Sequence, residues 1–205
     1  MIEFTAEKIE ENYNKFRAQC EKLGERSPAA VQFVDILGER LALAPASARV
    51  EYHLATPGGL VDHSLRVLRN AVNISKACSW NVSLESLIVS ALFHDIGKCV
   101  HVVGGEFVDV YVPQDSSWHR EKCGEMYKHN EKVPYMPVAQ RSLWLMQKYG
   151  IPLSYEEWVT ICIHDGFVLN ENKPYCMKEP VLAHVVMTAD YSATIQEKEW
   201  ERREG

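Results

Sequence analysis

Eight histidines are spread through the 205-residue chain, and three stand where an imidazole can do chemistry: His63, His94 and His164. His94 is followed directly by Asp95, and the pair closes the most apolar helical stretch of the sequence, which carries Leu87, Ile88, Ala91 and Leu92. An ionised carboxylate beside a core segment is costly unless a partner neutralises it. A divalent cation held jointly by imidazole and carboxylate would neutralise it. The plainer reading is an aspartate that caps a helix next to a surface histidine. His63 falls one turn into a helix that opens at Gly58-Gly59, and His164 sits with Asp165-Gly166 where another helix should end.

The elements that must position these residues read as helix after helix, broken once. Thr5 caps a first helix with Ile9, Tyr13, Phe16, Cys20 and Leu23 at helical spacing, ending at Gly24. Ser27-Pro28 reads as N-cap and first residue of a second helix that turns Val31, Val34, Ile36 and Leu37 to the core. After a loop ending in Thr56-Pro57-Gly58-Gly59, helices are expected from Leu60 to about Lys76 and from Ser83 to the His94-Asp95 pair, where Gly97 can terminate the helix. Two β-branched runs, Val100–Val103 and Phe107–Val112, flank Gly104-Gly105 and predict a hairpin. Residues 113–136 have no legible conformation. Helices resume from Pro137 to Tyr149, from a Ser154/Glu157 capping box to His164, and from Pro180 past Asp190.

Bulk properties narrow the class. With 46% hydrophobic and 24% charged residues the chain suits a globular domain and not a disordered one. Its net charge of −6 argues against a broad basic face for long nucleic acid, but not against a small phosphorylated substrate, because a bound cation can reverse the local field. The six cysteines form no Cys-x-x-Cys pair, no signal peptide is read, and no apolar run is long enough to cross a bilayer. A reduced, cytoplasmic compartment and no membrane partner are therefore expected.

Three segments, in order, carry a resemblance: Gly58-Gly59-Leu60-Val61-Asp62-His63-Ser64-Leu65, then Ala91-Leu92-Phe93-His94-Asp95-Ile96-Gly97-Lys98, then Ala189-Asp190-Tyr191. Together they resemble the HD superfamily of metal-dependent phosphohydrolases, over roughly residues 50–195. The resemblance implies a mostly α fold, an HD-domain helical bundle with a β-hairpin insertion at about 100–136, after the His-Asp motif. Residues 1–45 would form an N-terminal helical extension packed on a domain of residues 46–205. It implies His63, His94, Asp95 and Asp190 as metal ligands. Such a set suits Mn²⁺, Fe²⁺, Co²⁺, Ni²⁺ or, less ideally, Mg²⁺, with Asp95 also orienting or deprotonating the attacking water. Some members hold a second metal with two further histidines. His164 falls where one belongs, whereas Val138 stands at the expected place of the other. One tight metal is therefore favoured, with a second weak or absent, and His164 is left as a substrate contact or an acid to the leaving group.

Lys98 resembles the motif lysine that reaches substrate phosphate; equally, it is a helix C-terminal lysine favoured by the dipole. Arg141 is a candidate phosphate contact or a solvated face residue, and His129 a candidate substrate contact, a substitute for the second-metal histidine missing at Val138, or a surface residue. His53 matches a histidine ahead of the Gly-Gly turn in some HD nucleases, with a packing role as the alternative. His101, His119 and His184 are read as structural or surface residues. The aromatic and basic residues from Trp118 to His129 suggest a lid that stacks on a base. The expected function is hydrolysis of a phosphoester or phosphoanhydride, in a nucleotide, by metal-activated water. A nucleotidase or nucleoside triphosphate hydrolase is favoured. A 3′→5′ exonuclease on single strands and a non-catalytic regulatory module are the alternatives. The partner would be a phosphorylated small molecule, and the oligomeric state is left open.

Overall fold

A computed structural model describes residues 2–204. The chain runs α1 (Ala6–Cys20), α2 (Ser27–Leu37), α3 (Glu39–Leu43), α4 (Gly59–Ala77), α5 (Leu84–Phe93), β1 (Val100–Val103), β2 (Glu106–Asp109), β3 (Tyr111–Pro113), α6 (Ser117–Cys123), β4 (Tyr127–His129), α7 (Val138–Lys148), α8 (Tyr155–Ile163) and α9 (Val181–Glu204). It is a mostly α bundle with two small antiparallel strand pairs, β1–β2 and β3–β4. Among the described residues no helix is long and apolar enough to cross a membrane.

α5 is the axis of the bundle. Every residue from Leu87 to Phe93 is buried, which only a helix surrounded by others can sustain. Its last residue organises an aromatic chain: Phe16 of α1 meets Phe93 edge-on at 5.7 Å, and Phe33 of α2 stacks on Phe93 at 6.4 Å. Phe33 in turn stacks on Tyr149 at 4.6 Å, and Phe107 of the β1–β2 hairpin lies 5.7 Å from the same ring. The hairpin is thereby fastened to the end of α7. Its turn at Gly104-Gly105 has positive φ at both residues, as expected of a two-residue connection.

Several local expectations are corrected. Arg26, not Ser27, is the N-cap of α2, because the chain enters that helix through a 3₁₀ turn at Gly24–Arg26. Ile36 is 48% exposed; Ala30 and Phe33 take the core places beside Val34 and Leu37. α5 stops at Phe93, before Gly97: Asp95 leaves the helix at φ −107°, ψ 7°, and Ile96–Lys98 form a 3₁₀ turn. The stretch after the hairpin is ordered as β3, α6 and β4. It is tied to the loop before α4, where Val50 N–H donates to the Gly124 carbonyl at 2.9 Å and Met126 N–H to that of Ala48 at 2.9 Å.

The capping box at α8 does more than start a helix. Ser154 and Glu157 cap each other reciprocally, and the Glu157 carboxylate also takes Arg26 Nη1 at 2.7 Å and Ser86 Oγ at 2.8 Å. Three helix starts meet on one buried carboxylate. Burial pushes that carboxyl upward, but the Ser154 N–H, Arg26 and Ser86 outweigh it and hold it below the ordinary 4.5. Glu157→Gln should cost about 2–3 kcal/mol in urea unfolding at neutral pH, since it removes the nearer, buried one of Arg26's two carboxylate partners and leaves only Glu85, at 3.6 Å. Because the folded group titrates lower than the unfolded one, this stabilisation is present above 4.5 and lost as pH falls. The wild-type advantage should therefore shrink toward pH 3; a constant gap would contradict the assignment.

Candidate metal centre

His63 is placed by the start of α4. Gly58 adopts φ +84° as the N-cap, and at Gly59 a Cβ would strike the Leu54 carbonyl and come within 3.0 Å of Ala46 N. The loop can approach the helix only with glycine there, and His63 is then carried one turn in, facing the core at 1% exposure. His94 and His164 are placed alike. Each sits just past the last residue of an apolar helix, α5 or α8, and each donates from Nδ1 to the carbonyl three residues back: His94 to Ala91 at 2.9 Å, His164 to Ile161 at 2.8 Å. Helix ends leave such carbonyls free. With Nδ1 engaged, Nε2 of each ring is the atom presented to the interior.

The three Nε2 atoms converge with two carboxylates. His63 Nε2 lies 3.0 Å from Asp190 Oδ1 of α9. Asp95 Oδ2 is 3.5 Å from His94 Nε2, and Asp95 Oδ1 is 3.3 Å from His164 Nε2. One donor atom each from His63, His94 and Asp95 lie within 4.8 Å of one another, and so do those of His94, His164 and Asp190. His94 Nε2 is buried and has no hydrogen-bond partner. An orphaned buried group costs about 1–3 kcal/mol, and a cation at the centre would remove that cost. Two carboxylates and three imidazoles also match the charge and donor preferences of a first-row divalent metal. The residues present therefore fit such an ion.

Behind the cluster lies Glu197, fully buried on α9. Its oxygens stand 3.1 Å from His63 Nδ1 and 2.7 Å from His53 Nδ1, with Arg66 Nε at 3.3 Å. It fixes the His63 tautomer as the backbone carbonyls fix those of His94 and His164. Burial alone would depress the His63 imidazole, but Glu197 and Asp190 outweigh it and raise it to about 10. Burial likewise depresses His164, and Asp95 and Asp165 raise it to about 9. Asp190 is driven well below the carboxylate range, burial being overcome by His63, and Glu197 falls to about 2 for the same reason.

The turn bearing Asp95 is clamped by α7. Ser142 Oγ accepts from Gly97 N–H at 2.9 Å and donates to the His94 carbonyl at 2.7 Å. Arg141 Nη1 donates to the Gly97 carbonyl at 3.1 Å. A Cβ at Gly97 would collide with the Val138 carbonyl and lie 2.9 Å from Ser142 N. Gly97 thus serves close approach and not helix termination.

The structure brings together His63, His94, Asp95, Asp190 and His164, and sets Lys98 Nζ 2.5 Å from Asp95 Oδ2. It does not bring Arg141 or His129 to them. Arg141 is 2% exposed, and besides Gly97 it donates to the carbonyls of Pro134 and Met136, so both its Nη groups are spent on backbone and the side chain is neither solvated nor free for phosphate. His129 stands exposed on β4 opposite Tyr111. Trp118 is 60% exposed and packs edge-on against its neighbour His119, turned to solvent. His53 has a definite partner in Glu197. Glu197 itself escaped sequence reading, although its place seven residues after Asp190 puts both on one helical face.

The family model of the HD domain matches residues 60–195. No curated protein and no solved structure matches the chain. The five clustered residues all fall inside the matched stretch, while His53 and Glu197 lie just outside it. Glu197→Gln keeps the shape but removes the charge that holds His63 in register. Mn²⁺ affinity, measured by calorimetric titration, should fall about 10–100-fold with the helical circular dichroism unchanged. Unaltered affinity would show that Glu197 does not orient the ligand.

Proposed function

The chain belongs to the HD domain family, and from that premise we propose that it is a metal-dependent phosphohydrolase acting on a nucleotide, with His63, His94, Asp95 and Asp190 as metal ligands. The observation that carries this reading is the buried, partnerless Nε2 of His94 facing two carboxylates and two further imidazoles. His94 belongs to two of the three groups close enough to hold an ion, the third being His53, His63 and Glu197, and with Nδ1 given to the Ala91 carbonyl it offers one lone pair to one ion. That favours a single tightly held cation over two.

The cation, when bound, supplies a Lewis acid for phosphoryl oxygens and makes water acidic enough to attack near neutral pH. The chain's own residues do the rest. Asp95 is positioned by the α7 clamp, and its carboxylate orients the attacking water. Lys98 Nζ, on the same turn, meets the phosphate and offsets its charge. His164 Nε2 stands 3.3 Å from Asp95 and 3.6 Å from Asp165. Two carboxylates keep a proton there for the departing oxygen.

The purified protein should carry about one transition metal per chain, and in a Mn²⁺-supplemented screen it should release phosphate from nucleotides. Chelation should abolish release and Mn²⁺ restore it. Asp95→Ala should lower turnover at least about a thousand-fold, since several kcal/mol of charge stabilisation leave with the ion, while the protein stays folded. Shortening of a single-stranded oligonucleotide instead would favour the exonuclease. Folded protein with neither metal nor turnover would overturn the enzyme reading.

A further inference from the structure

A cavity of about 650 Å³ opens beside the metal cluster, between α2–α3, the loop before α4 and the strands of the insertion. Lys98 joins the two: its Nζ sits on Asp95 Oδ2 at 2.5 Å, and its side chain also lines the cavity. A phosphate held at Lys98 therefore has this space beside it for the rest of its molecule. The volume falls within the range of about 300–1,000 Å³ usual for small-molecule sites.

The walls have a particular chemistry. Ile36 and Leu43 line the cavity at 48% and 42% exposure, apolar surface that a ligand would cover. Tyr111 and Tyr127, from β3 and β4, contribute two aromatic rings. Arg40 Nη1 and Asp109 Oδ1 form an ion pair at 2.5 Å that also borders the space. It offers a donor and an acceptor together, both half-exposed. A free sugar phosphate would find few polar partners on these walls, and an acyl chain would strand the ion pair. A planar base meets both conditions, with faces for rings and aliphatic chains and edges for Arg40 and Asp109. Ile36, Arg40 and Leu43 precede residue 60, outside the stretch matched by the family. This wall is supplied by the chain's own N-terminal helices.

We infer that the cavity bounded by Ile36, Leu43, Tyr111, Tyr127 and the Arg40–Asp109 pair holds the nucleoside of a nucleoside monophosphate whose phosphate rests at Lys98. The inference rests on the phosphohydrolase reading for its orientation, and supplies that reading with a substrate class. A monophosphate is the class chosen because one side chain, Lys98, both touches the cluster and lines the cavity.

Ile36→Trp fills the space from a half-exposed helix face without entering the core. In wild type and variant, kcat/KM would be compared for the common nucleoside monophosphates and for glycerol 2-phosphate, which has no base. Binding of the same monophosphates to the chelator-treated, metal-free protein would be followed by calorimetry. The nucleotide-to-glycerol-phosphate selectivity should fall at least tenfold in Ile36→Trp, and nucleotide binding to the metal-free protein should weaken at least tenfold. Tyr111→Ala should weaken that binding similarly, with Tyr111→Phe restoring it. Unchanged selectivity and binding in Ile36→Trp and Tyr111→Ala would overturn the cavity assignment while phosphate release stood. Absence of phosphate release from every substrate would instead overturn the phosphohydrolase reading. In that case the binding measurement alone decides the cavity.

Discussion

Two buried carboxylates, Asp95 and Glu197, and a third that is largely covered, Asp190, are packed among the helices, and the rest of the structure is arranged around neutralising them. Isolated charges in such an interior are prohibitively costly. Imidazoles answer Asp95 and Asp190 from one side, with Lys98 reaching Asp95 from the cavity; His53, His63 and Arg66 answer Glu197. The helices that deliver His94 and His164 are strongly apolar, and α4 and α9 turn their buried faces to the same core, so the charged centre is embedded in it. Among the imidazoles that face Asp95 and Asp190, His94 Nε2 is left with no hydrogen-bond partner.

The clustered side chains come from segments far apart in sequence, and their convergence depends on how backbone is brought to backbone. Gly59 lets the preceding loop press on α4, and Gly97 lets α7 press on the Asp95 turn. Through Ser142 and Arg141 that turn is bonded on both its N–H and carbonyl sides. The hairpin continues directly from it and is anchored by Phe107 on Tyr149. The same short stretch of chain thus places Asp95 in the cluster on one side and forms a wall of the neighbouring cavity on the other.

Helices were legible in sequence where local rules suffice: the Thr5 cap, the helix start at Ser83, the Ser154/Glu157 box and the apolar run of α5 all stand as their patterns predict. The HD resemblance was legible because its motif residues are unusual side chains in apolar surroundings. What escaped was set by tertiary packing. Ile36 carries the periodicity of a core residue, yet its face of α2 looks into the cavity. Arg141 looks like a surface cation because nothing local reveals the three carbonyls that claim it. Residues 113–136 lack periodicity because their order comes from pairing with the segment around Ala48, not from any apolar stripe. Glu197 was hidden in a charged helix end that reads as solvated.

The means by which the three histidines are oriented differ in kind. Those of His94 and His164 are backbone carbonyls, which no single substitution can delete and whose acceptor strength is fixed. That of His63 is a carboxylate, which pulls on the Nδ1 proton and makes Nε2 more electron-rich. One imidazole of the set is therefore a stronger donor than its neighbours, and its strength is written in a side chain. Drift at position 197 could shift which metal is preferred, or how tightly it is kept, while every ligand stayed in place. The lever for retuning this centre lies behind it, in the last helix, and not among the residues that would touch the ion.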